Sequence, residues 1–498
     1  MSTLTALARA QALAAGRAQP IATVRHLHVQ DHPLVLIPLA MAGEANAPLA
    51  AMVGVSPDKP RLLVVSQPRD RDLRFAFFAD LAEELLPYLE SFATESEDVP
   101  IDRGKDVRQR YLDAPQIWVP NSGGIDFLRM LGRSTRFRTV DGEYPVPAGV
   151  PLLGRWLTFL AGTAEIPGSS LLLNAVQALG LHWATGQSGT EDAQFGTQLA
   201  WIESGAAEAR EAENGPVAGP ATDPEFDNKV LAPLIERSAP ELPDILQELL
   251  LPTWDRMWRA LNLLRGLPAG ERVSLRWDSD RDAYTAFTQY IAEGGAPQPR
   301  RDGAVAAAAR LQRLENAASR YAVQRAFDDP LVLAEYRLSG AAFAGVVTLA
   351  NPNRVDDSGK RPVLRPRIMV HTTEPVRMEP GTSLTSPSRT AQKARVVSVT
   401  PAGDGVDVLL ELSGGMGRKL VAEPGSVPEV GERLILTTLS EAFRPGGTFP
   451  EPAETPWTHG GPPIPTLEPA APAAPAAPAA PGAEAHQPDA RPPQPGVI

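Results

Sequence analysis

The chain has 498 residues, no cysteine and a formal net charge of −12 at pH 7. At about 100–200 residues per domain, this length predicts several domains and excludes small disulfide-stabilised scaffolds. The lack of cysteine also excludes thiolate zinc sites, iron–sulfur clusters and cysteine nucleophiles. The 51 prolines are about twice the usual share, so part of the chain is predicted not to pack.

The first 160 residues are predicted to form an α/β domain. Met1–Gly16 is rich in Ala and Leu and predicts a helix, and Leu73–Phe92 carries apolar residues at helical spacing. Short apolar runs predict strands, and strands that alternate with helices are typical of α/β or α+β units. The strand segments are Leu34–Leu39, Ala50–Val55, Arg61–Val65 and Gln116–Val119.

A helical extension and a linker are predicted to follow. In residues 161–202, Ser169 is predicted to cap a helix that runs through Trp183. Residues 203–226 contain Gly-Pro turn signals and predict a linker. The linker is acidic, because Ile202–Glu248 contains eleven acidic residues and three basic ones.

Residues 227–340 predict a helical domain that ends in a long helix near Gly303–Phe327. Beyond Gly340 the apolar pattern has period two, and residues 341–445 predict a small β-barrel of the SH3-like or OB-like type, with a hairpin turn at Pro401–Gly405. The predicted strands are Ala342–Ala350, Arg365–Thr373, Lys393–Thr400, Val406–Leu412 and Glu432–Leu439. The fold class is therefore multidomain α+β.

The last predicted region is a disordered tail over residues 446–498. It holds fifteen prolines and a repeated Pro-Ala-Ala unit, a composition that favours extended conformers and buries nothing. The chain shows no basic leader before an apolar run and no stretch of 18 apolar residues. A cytoplasmic protein without a membrane partner is the expectation.

Two clusters resemble metal sites in part. His26 and His28 alternate on a predicted strand near Asp31 and His32, which suits either a metal site or an exposed strand end. Asp278, Asp280 and Asp282 have calcium-loop spacing, but the loop's glycine and final glutamate are missing. A helix that begins near Ser279, with acidic residues in its first turn, explains them more simply.

Other catalytic signatures are absent. The chain has no phosphate loop, no Gly-x-Ser-x-Gly elbow and no His-Glu-x-x-His sequence. Trp118–Gly124 precedes a predicted helix and suits either an anion site or an ordinary strand-to-helix turn. His182 lies between Leu181 and Trp183 and is predicted to be a core residue. No catalytic residue, metal ligand or cofactor is assigned.

The predicted barrel carries a local excess of positive charge. Lys360–Lys419 contains ten basic and five acidic residues. Alternation places basic side chains on the strand faces and in the flanking loops, where they suit contacts with a phosphate backbone. The predicted nucleic-acid-binding residues are Lys360, Arg361, Arg365, Arg367, Arg389, Lys393 and Arg395.

A long helix followed by a small barrel, over Gly303–Leu439, resembles in architecture the stalk-and-barrel insertion of superfamily 1 helicases of the RNA-surveillance type. This chain lacks the phosphate loop of those motors, so no helicase residue transfers to it. The resemblance implies an accessory protein that works with a separate ATPase or helicase.

The leading interpretation is a non-catalytic cytoplasmic accessory protein whose basic barrel contacts nucleic acid or a nucleic-acid-processing ATPase. One alternative is a hydrolase or nuclease in residues 20–200, which requires Asp70, Asp72, Asp80, His26 and His28 to converge. The other is a pure protein scaffold, whose tail and linker tether partners.

Overall fold

The computed structural model of the chain describes residues 2–42, 47–101, 104–215, 222–441 and 447–451. Within these ranges the fold is a mixed α+β one, with a closed β-barrel in the C-terminal half. This confirms the predicted fold class at that level. The predicted tail lies outside the described residues, apart from 447–451.

The first part of the chain alternates strands and helices. Serine, aspartate and asparagine side chains cap several of the helices; Asp70, for example, accepts hydrogen bonds from the backbone N–H groups of Asp72 and Leu73. The elements are α1 (Thr3–Ala15), β1 (Gln19–Pro20), β2 (Leu34–Ala40), β3 (Pro48–Gly54), β4 (Arg61–Val64), α2 (Arg71–Glu90), β5 (Ser96–Ile101), β6 (Asp106–Tyr111), β7 (Ile117–Val119), α3 (Ser122–Thr135) and α4 (Gly149–Thr163).

Short elements follow. They pack beside the strands just described, and they include a third parallel strand. The elements are β8 (Leu172–Asn174), α5 (Ala175–Gly180), β9 (Trp183–Ala184), α6 (Gly189–Asp192), α7 (Phe195–Glu203) and α8 (Ala206–Ala212).

A five-stranded mixed sheet organises this region, in the order β4-β3-β2-β7-β8. β2 is antiparallel to β3 and parallel to β7, and β7 is parallel to β8. All seven residues of β2 are buried. Leu34 and Leu36 enter the core on one face of the sheet, while Val35 and Ile37 enter the core on the other. A strand that is apolar on both sides requires cover on both faces.

Helices from the middle of the chain supply part of that cover. The elements of this region are α9 (Pro224–Phe226), a π-helical turn (Asp227–Leu231), α10 (Ala232–Glu236), α11 (Leu242–Arg265), α12 (Val273–Ala292), α13 (Ala304–Asp328) and α14 (Pro330–Leu338). Of these, α13 and α14 pack against the first residue of the barrel rather than on the sheet. α11 joins α5 and α7 in one core, whereas Trp277 and Tyr284 of α12 join α2, α3 and α4 in the other. The core is thus continuous across the predicted boundary at residues 226–227, and the domain boundaries themselves stay predictions.

Three local predictions differ from the structure. Leu172–Asn174 is a strand, and the helix after it begins at Ala175 with Asn174, not Ser169, as its cap. A short apolar run fits a buried strand as well as a buried helix, so periodicity could not separate them. The predicted linker contains the short helix α8, and α12 begins at Val273 rather than near Ser279.

The barrel closes in the strand order β10-β13-β16-β15-β14-β17. Its apolar interior includes Phe343, Ile368 and Leu410. The predicted turn joins β15 to β16 through two residues, and Gly403 takes a φ of 59°, as the first central residue of a type II′ turn requires. The elements are β10 (Ala342–Asn351), β11 (Val355–Asp356), β12 (Val363–Leu364), β13 (Arg367–Thr372), β14 (Ser383–Thr385), β15 (Lys393–Ala402), β16 (Gly405–Ser413) and β17 (Arg433–Thr437).

Two adjacent buried carboxylates join these parts at the α13–α14 junction. Asp329 accepts hydrogen bonds from Thr23 N at 2.7 Å and from Leu331 N at 2.9 Å. Asp328 pairs with Arg272 at 3.0 Å, and the same guanidinium donates to Glu441 at 2.8 Å. The junction therefore connects the N-terminal segment, the start of α12 and the chain that leaves the barrel.

Among the helices of the described ranges, none combines the length and the apolar character that a bilayer span requires.

Replacing Asp329 by alanine is expected to lower the free energy of unfolding by roughly 3 kcal/mol, because buried donors lose their acceptor. Chemical denaturation measures this change. Glu315→Ala, at an exposed position of α13, is the matched control and is expected to change stability by less than about 0.5 kcal/mol. Equal effects of the two substitutions would contradict a structural role for Asp329.

Candidate nucleic-acid interface

The outward-facing side chains of β13 and β15 include three of the predicted cations. In β13, Arg367 and His371 are half-buried on the outer side, while Ile368 between them is buried. In β15, Lys393 and Arg395 are exposed on either side of a buried alanine. This placement follows from the period of two along a strand. β16 lies between β13 and β15, so the two strands contribute to one continuous surface.

A single carboxylate lies in the middle of this surface. Glu411 of β16 is the register partner of Arg367 on one side and of Arg395 on the other. Its Oε2 accepts hydrogen bonds from Arg367 Nη2 at 3.1 Å and from Arg354 Nη1 at 2.8 Å. Arg367 and Arg395 are two strands apart, roughly 10 Å.

Arg365 lies just before β13 and is half-buried. Its backbone N–H donates to Arg354 O at 2.8 Å, and its Nη1 donates to Leu364 O at 3.1 Å. Arg354 and Arg365 therefore sit side by side at the edge of the same surface. We call this surface the barrel charge face; it comprises Arg354, Arg365, Arg367, Lys393, Arg395 and Glu411. It has five cations and one carboxylate of its own. Asp356 adds a second carboxylate near Arg354 and Arg365, so the net excess is three positive charges.

Arg389 belongs to the framework of the barrel rather than to this face. Its Nη2 contacts both carboxylate oxygens of Glu432, at 2.9 and 3.1 Å, and its Nη1 donates to Gly425 O at 3.1 Å. A guanidinium held in this bidentate way has little capacity left for a phosphate. The structure thus uses Arg389 to fix the loop that precedes β17.

Lys360 and Arg361 lie in the loop that joins β11 to β12. Both are exposed, and neither forms a hydrogen bond or an ion pair within the part of the chain that the structure describes. The side chains of Lys393 and Arg395 are likewise exposed and unpaired within the described ranges, although their backbones belong to the barrel ladder. These four cations are accessible to an anionic partner.

The hydroxyl groups near β14 are mostly engaged. Thr385 Oγ1 donates to Leu439 O at 2.5 Å, and the hydroxyls of Ser386 and Ser388 lie 3.1 Å apart. Ser383 is exposed and is the register partner of Arg395. Of these hydroxyls, Ser383 is the one placed beside the barrel charge face.

The residues proposed for a nuclease site do not converge. Asp70 caps α2, Asp72 pairs with Arg71 in the first turn of that helix, and Asp80 is exposed further along it. His26 is completely buried against His182 and Asp329, and His28 stacks on Trp277 with ring centroids 3.9 Å apart. Within the described ranges, no three His, Asp or Glu side chains are placed together as metal ligands. Asp31 and His32 follow the buried segment at its exposed end.

The histidines instead belong to a buried polar cluster. His182 Nδ1 donates to Ala178 O at 2.7 Å, and its Nε2 accepts from His26 N at 3.0 Å. Burial lowers the pKa of His182 and of His28 to about 4. His26 Nε2 lies 3.2 Å from Asp329 Oδ2. Burial opposes ionisation of Asp329, but the adjacent His26 ring and the hydrogen bonds from Thr23 and Leu331 outweigh it and hold its pKa at about 2.

The three aspartates with calcium-loop spacing all lie within α12. Burial raises the pKa of Asp280 to about 7, against the hydrogen bonds that it accepts from Ser169 Oγ at 2.7 Å and Ser170 N at 2.6 Å. Asp278 pairs with Arg281, and Asp282 pairs with Arg108 of β6. The three aspartates therefore lie in a helix, as predicted, but not in its first turn. Asp280 binds the segment before β8 instead of stabilising the start of the helix.

The turn after β7 is an ordinary entry into α3. Asn121 Oδ1 accepts a hydrogen bond from Gly124 N at 3.3 Å, as a cap does. A Cβ on Gly124 would lie 2.8 Å from Val119 Cβ, so glycine is required for the close packing of α3 on β7.

Comparisons with protein-family models, with curated proteins and with solved structures find no match to this chain.

Arg354 and Glu411 are members of the barrel charge face that were not predicted. The position of Glu411 opposite two basic strands depends on the order β13-β16-β15, which a single sequence does not disclose. Its alternation with the buried Leu410 and Leu412 signals only that it faces outward.

Arg389→Gln is expected to lower the free energy of unfolding by roughly 1–2 kcal/mol, because Glu432 and two carbonyl oxygens lose their donor. Arg395→Gln is the matched control, since Arg395 is exposed and unpaired in the described part of the chain. It is expected to change stability by less than about 0.5 kcal/mol. Urea denaturation of both variants tests the difference, and a larger loss at Arg395 would refute the assignment.

His182→Gln is expected to weaken the pH dependence of stability. A folded-state pKa of about 4, against about 6.5 in the unfolded chain, means that stability is fully present above pH 6.5 and is lost as the pH falls toward 4. The stability difference between the wild type and the variant should therefore shrink over this window, by up to about 3 kcal/mol. Denaturation at several pH values measures it, and an unchanged difference would show that His182 does not titrate abnormally.

Proposed function

We propose that the chain is a non-catalytic accessory protein whose barrel binds nucleic acid, alone or together with a separate nucleic-acid-processing ATPase. The observation that supports this most is the barrel charge face, whose five cations exceed the two carboxylates beside them, Glu411 and Asp356. Such an excess of cations is favourable when a polyanion releases its counterions on binding.

The composition of the face favours contacts with phosphates over contacts with bases. Arg367, Glu411 and Arg395 form one cross-strand row, and the next outward-facing row contains the half-buried residues Met369 and Leu409. Neither of these has an aromatic ring on which a base could stack. Arginine and lysine contacts to phosphate position a nucleic acid without reading its sequence. The expected binding therefore depends strongly on salt and weakly on sequence.

Glu411 has a distinct part in this proposal. Its carboxylate holds the guanidinium groups of Arg354 and Arg367 in place, so less side-chain freedom is lost when a phosphate arrives. Lys393 and Arg395 lie on the other side of Glu411 along the same sheet. Their side chains are exposed and unpaired within the described ranges, so they are the accessible part of the face.

The double variant Lys393→Gln/Arg395→Gln is expected to weaken binding to duplex DNA and to lower the steepness of log K against log salt by about two, since each phosphate contact contributes about 0.9. Fluorescence anisotropy with single- and double-stranded DNA and RNA, across a salt series, measures this. The matched control is Arg313→Gln/Arg320→Gln, which removes two exposed cations from α13.

Equal slopes for the barrel variant and the wild type would refute the barrel as the binding surface. Absence of binding to any of the four nucleic acids at low salt would refute the proposal itself and would favour the scaffold alternative.

A further inference from the structure

A second concentration of arginine lies far along the chain from the barrel, at the end of α3. An open hollow of about 370 Å³ is formed there by the last turn of α3, the residues after it, and the segment between α12 and α13. The residues that line it are Arg133, Ser134, Arg136, Phe137, Arg138 and Arg300. Four of the six are therefore arginines. We call it the arginine hollow.

No carboxylate within the described ranges lies at ion-pair distance from any of these four arginines. Their neighbours differ in this respect: Arg129 pairs with Asp126 and Glu165, and Arg310 pairs with Glu165 and Asp302. Asp126, Glu165 and Asp302 are thus already paired with other arginines. The arginines that line it are left with a local excess of positive charge.

Arg136 is the fixed part of the site. It is 4% exposed, its Nε donates to Gln298 O at 2.9 Å, and its Nη2 donates to Pro299 O at 3.1 Å. Its Nη1 is buried and has no hydrogen-bond partner. A buried guanidinium nitrogen without a partner is costly unless an anion satisfies it. Burial lowers the pKa of Arg136, and the charges of Arg133 and Arg300 lower it further.

The ring of Phe137 contacts the guanidinium groups of Arg136 and Arg300. Its ring centroid lies 4.8 Å from Arg136 Cζ and 5.2 Å from Arg300 Cζ. Cation–π contacts of this kind hold guanidinium groups in position while leaving their N–H donors free. Arg138 Nε donates to Ser134 O at 3.2 Å, which restrains a third arginine at the rim. Guanidinium groups from two segments of the chain therefore line the hollow.

The end of α3 explains only part of this charge. A helix C-terminus carries about half a negative charge and favours one nearby cation, which Arg133 in the last turn provides. Three further arginines exceed that requirement. Arg300 comes from the segment before α13 and not from α3 at all.

The geometry points to the arginine hollow as a binding site for a phosphomonoester group. Planar guanidinium groups bind phosphate oxygens bidentately, and a phosphomonoester carries about 1.5 to 2 negative charges at pH 7. The volume suits a phosphate with a small organic substituent, and the 40%-exposed ring of Phe137 lies beside it. This site is independent of the barrel charge face.

The experiment titrates the full chain with inorganic phosphate, a nucleoside 5′-monophosphate and a 5′-phosphorylated oligonucleotide, at constant ionic strength set with chloride. Calorimetry gives the affinity, and the rise in unfolding temperature gives an independent readout because ligand binding stabilises the folded state. At least one of the three is expected to bind, and the tightest identifies the source of the phosphate. Binding is expected to weaken below about pH 6, where the ester loses its second charge.

Arg133→Gln/Arg300→Gln removes two arginines that are exposed, so the variant is expected to fold. It should bind at least about tenfold more weakly than the wild type, a loss of roughly 1.4 kcal/mol. Arg133→Lys/Arg300→Lys keeps the charge but loses the bidentate geometry, and it should lie between the two. Arg313→Gln/Arg320→Gln is the matched control and should bind as the wild type does.

Three results would overturn the assignment. One is that none of the three ligands binds more tightly than chloride. Another is that the glutamine variant and the control bind alike. The last is an oligonucleotide that binds equally well with and without its 5′-phosphate and loses binding only when Lys393 and Arg395 are replaced, since that places the contact on the barrel.

Discussion

The α13–α14 junction fixes how the parts of this protein are arranged, because it concentrates two adjacent carboxylates where water is excluded. Asp328 and Asp329 are both fully buried at the side chain. A buried carboxylate is tolerated only when enough donors surround it. Those donors come from Thr23, from Arg272 and from the first turn of α14, so the segments that carry them are held to one place. The pKa of Asp329 is low because these surrounding donors favour its charged form despite its burial.

The barrel follows a different physical rule. Ring closure leaves no free edge, so each strand has only an inner and an outer side. Apolar residues such as Val370 and Leu410 take the inner side, and the charged residues between them are forced outward. Cross-strand register then decides which charges meet. Because of this register, Glu411 lies between Arg367 and Arg395. Arg389 instead pairs with Glu432, in the loop before β17.

Much of the secondary structure was predictable because its signals are local. The strands Leu34–Ala40 and Lys393–Ala402 and the helix Ala304–Asp328 match segments with clear periodicity. Leu172–Asn174 was wrongly predicted as helix, since the apolar run Leu171–Leu173 is too short to show a period. The roles of Asp280 and Asp329 were not predictable, because their partners are more than 100 residues away in the chain. The arginine hollow escaped prediction for the same reason, as Arg300 and Arg136 meet only in the fold.

The length of α13 has a consequence for any anionic ligand. Its first turn follows the segment that carries Arg300, and Arg310 near that end pairs with Glu165. Its last residue, Asp328, pairs with Arg272, which also contacts Glu441 in the chain that leaves the barrel. A helix of 25 residues spans about 37 Å. Since both ends are held by ion pairs, the helix keeps the segment with Arg300 and the base of the barrel about this distance apart. Under the two binding proposals above, a short phosphorylated compound would therefore engage one end of this helix only, and a ligand that engages both ends would have to be a polymer.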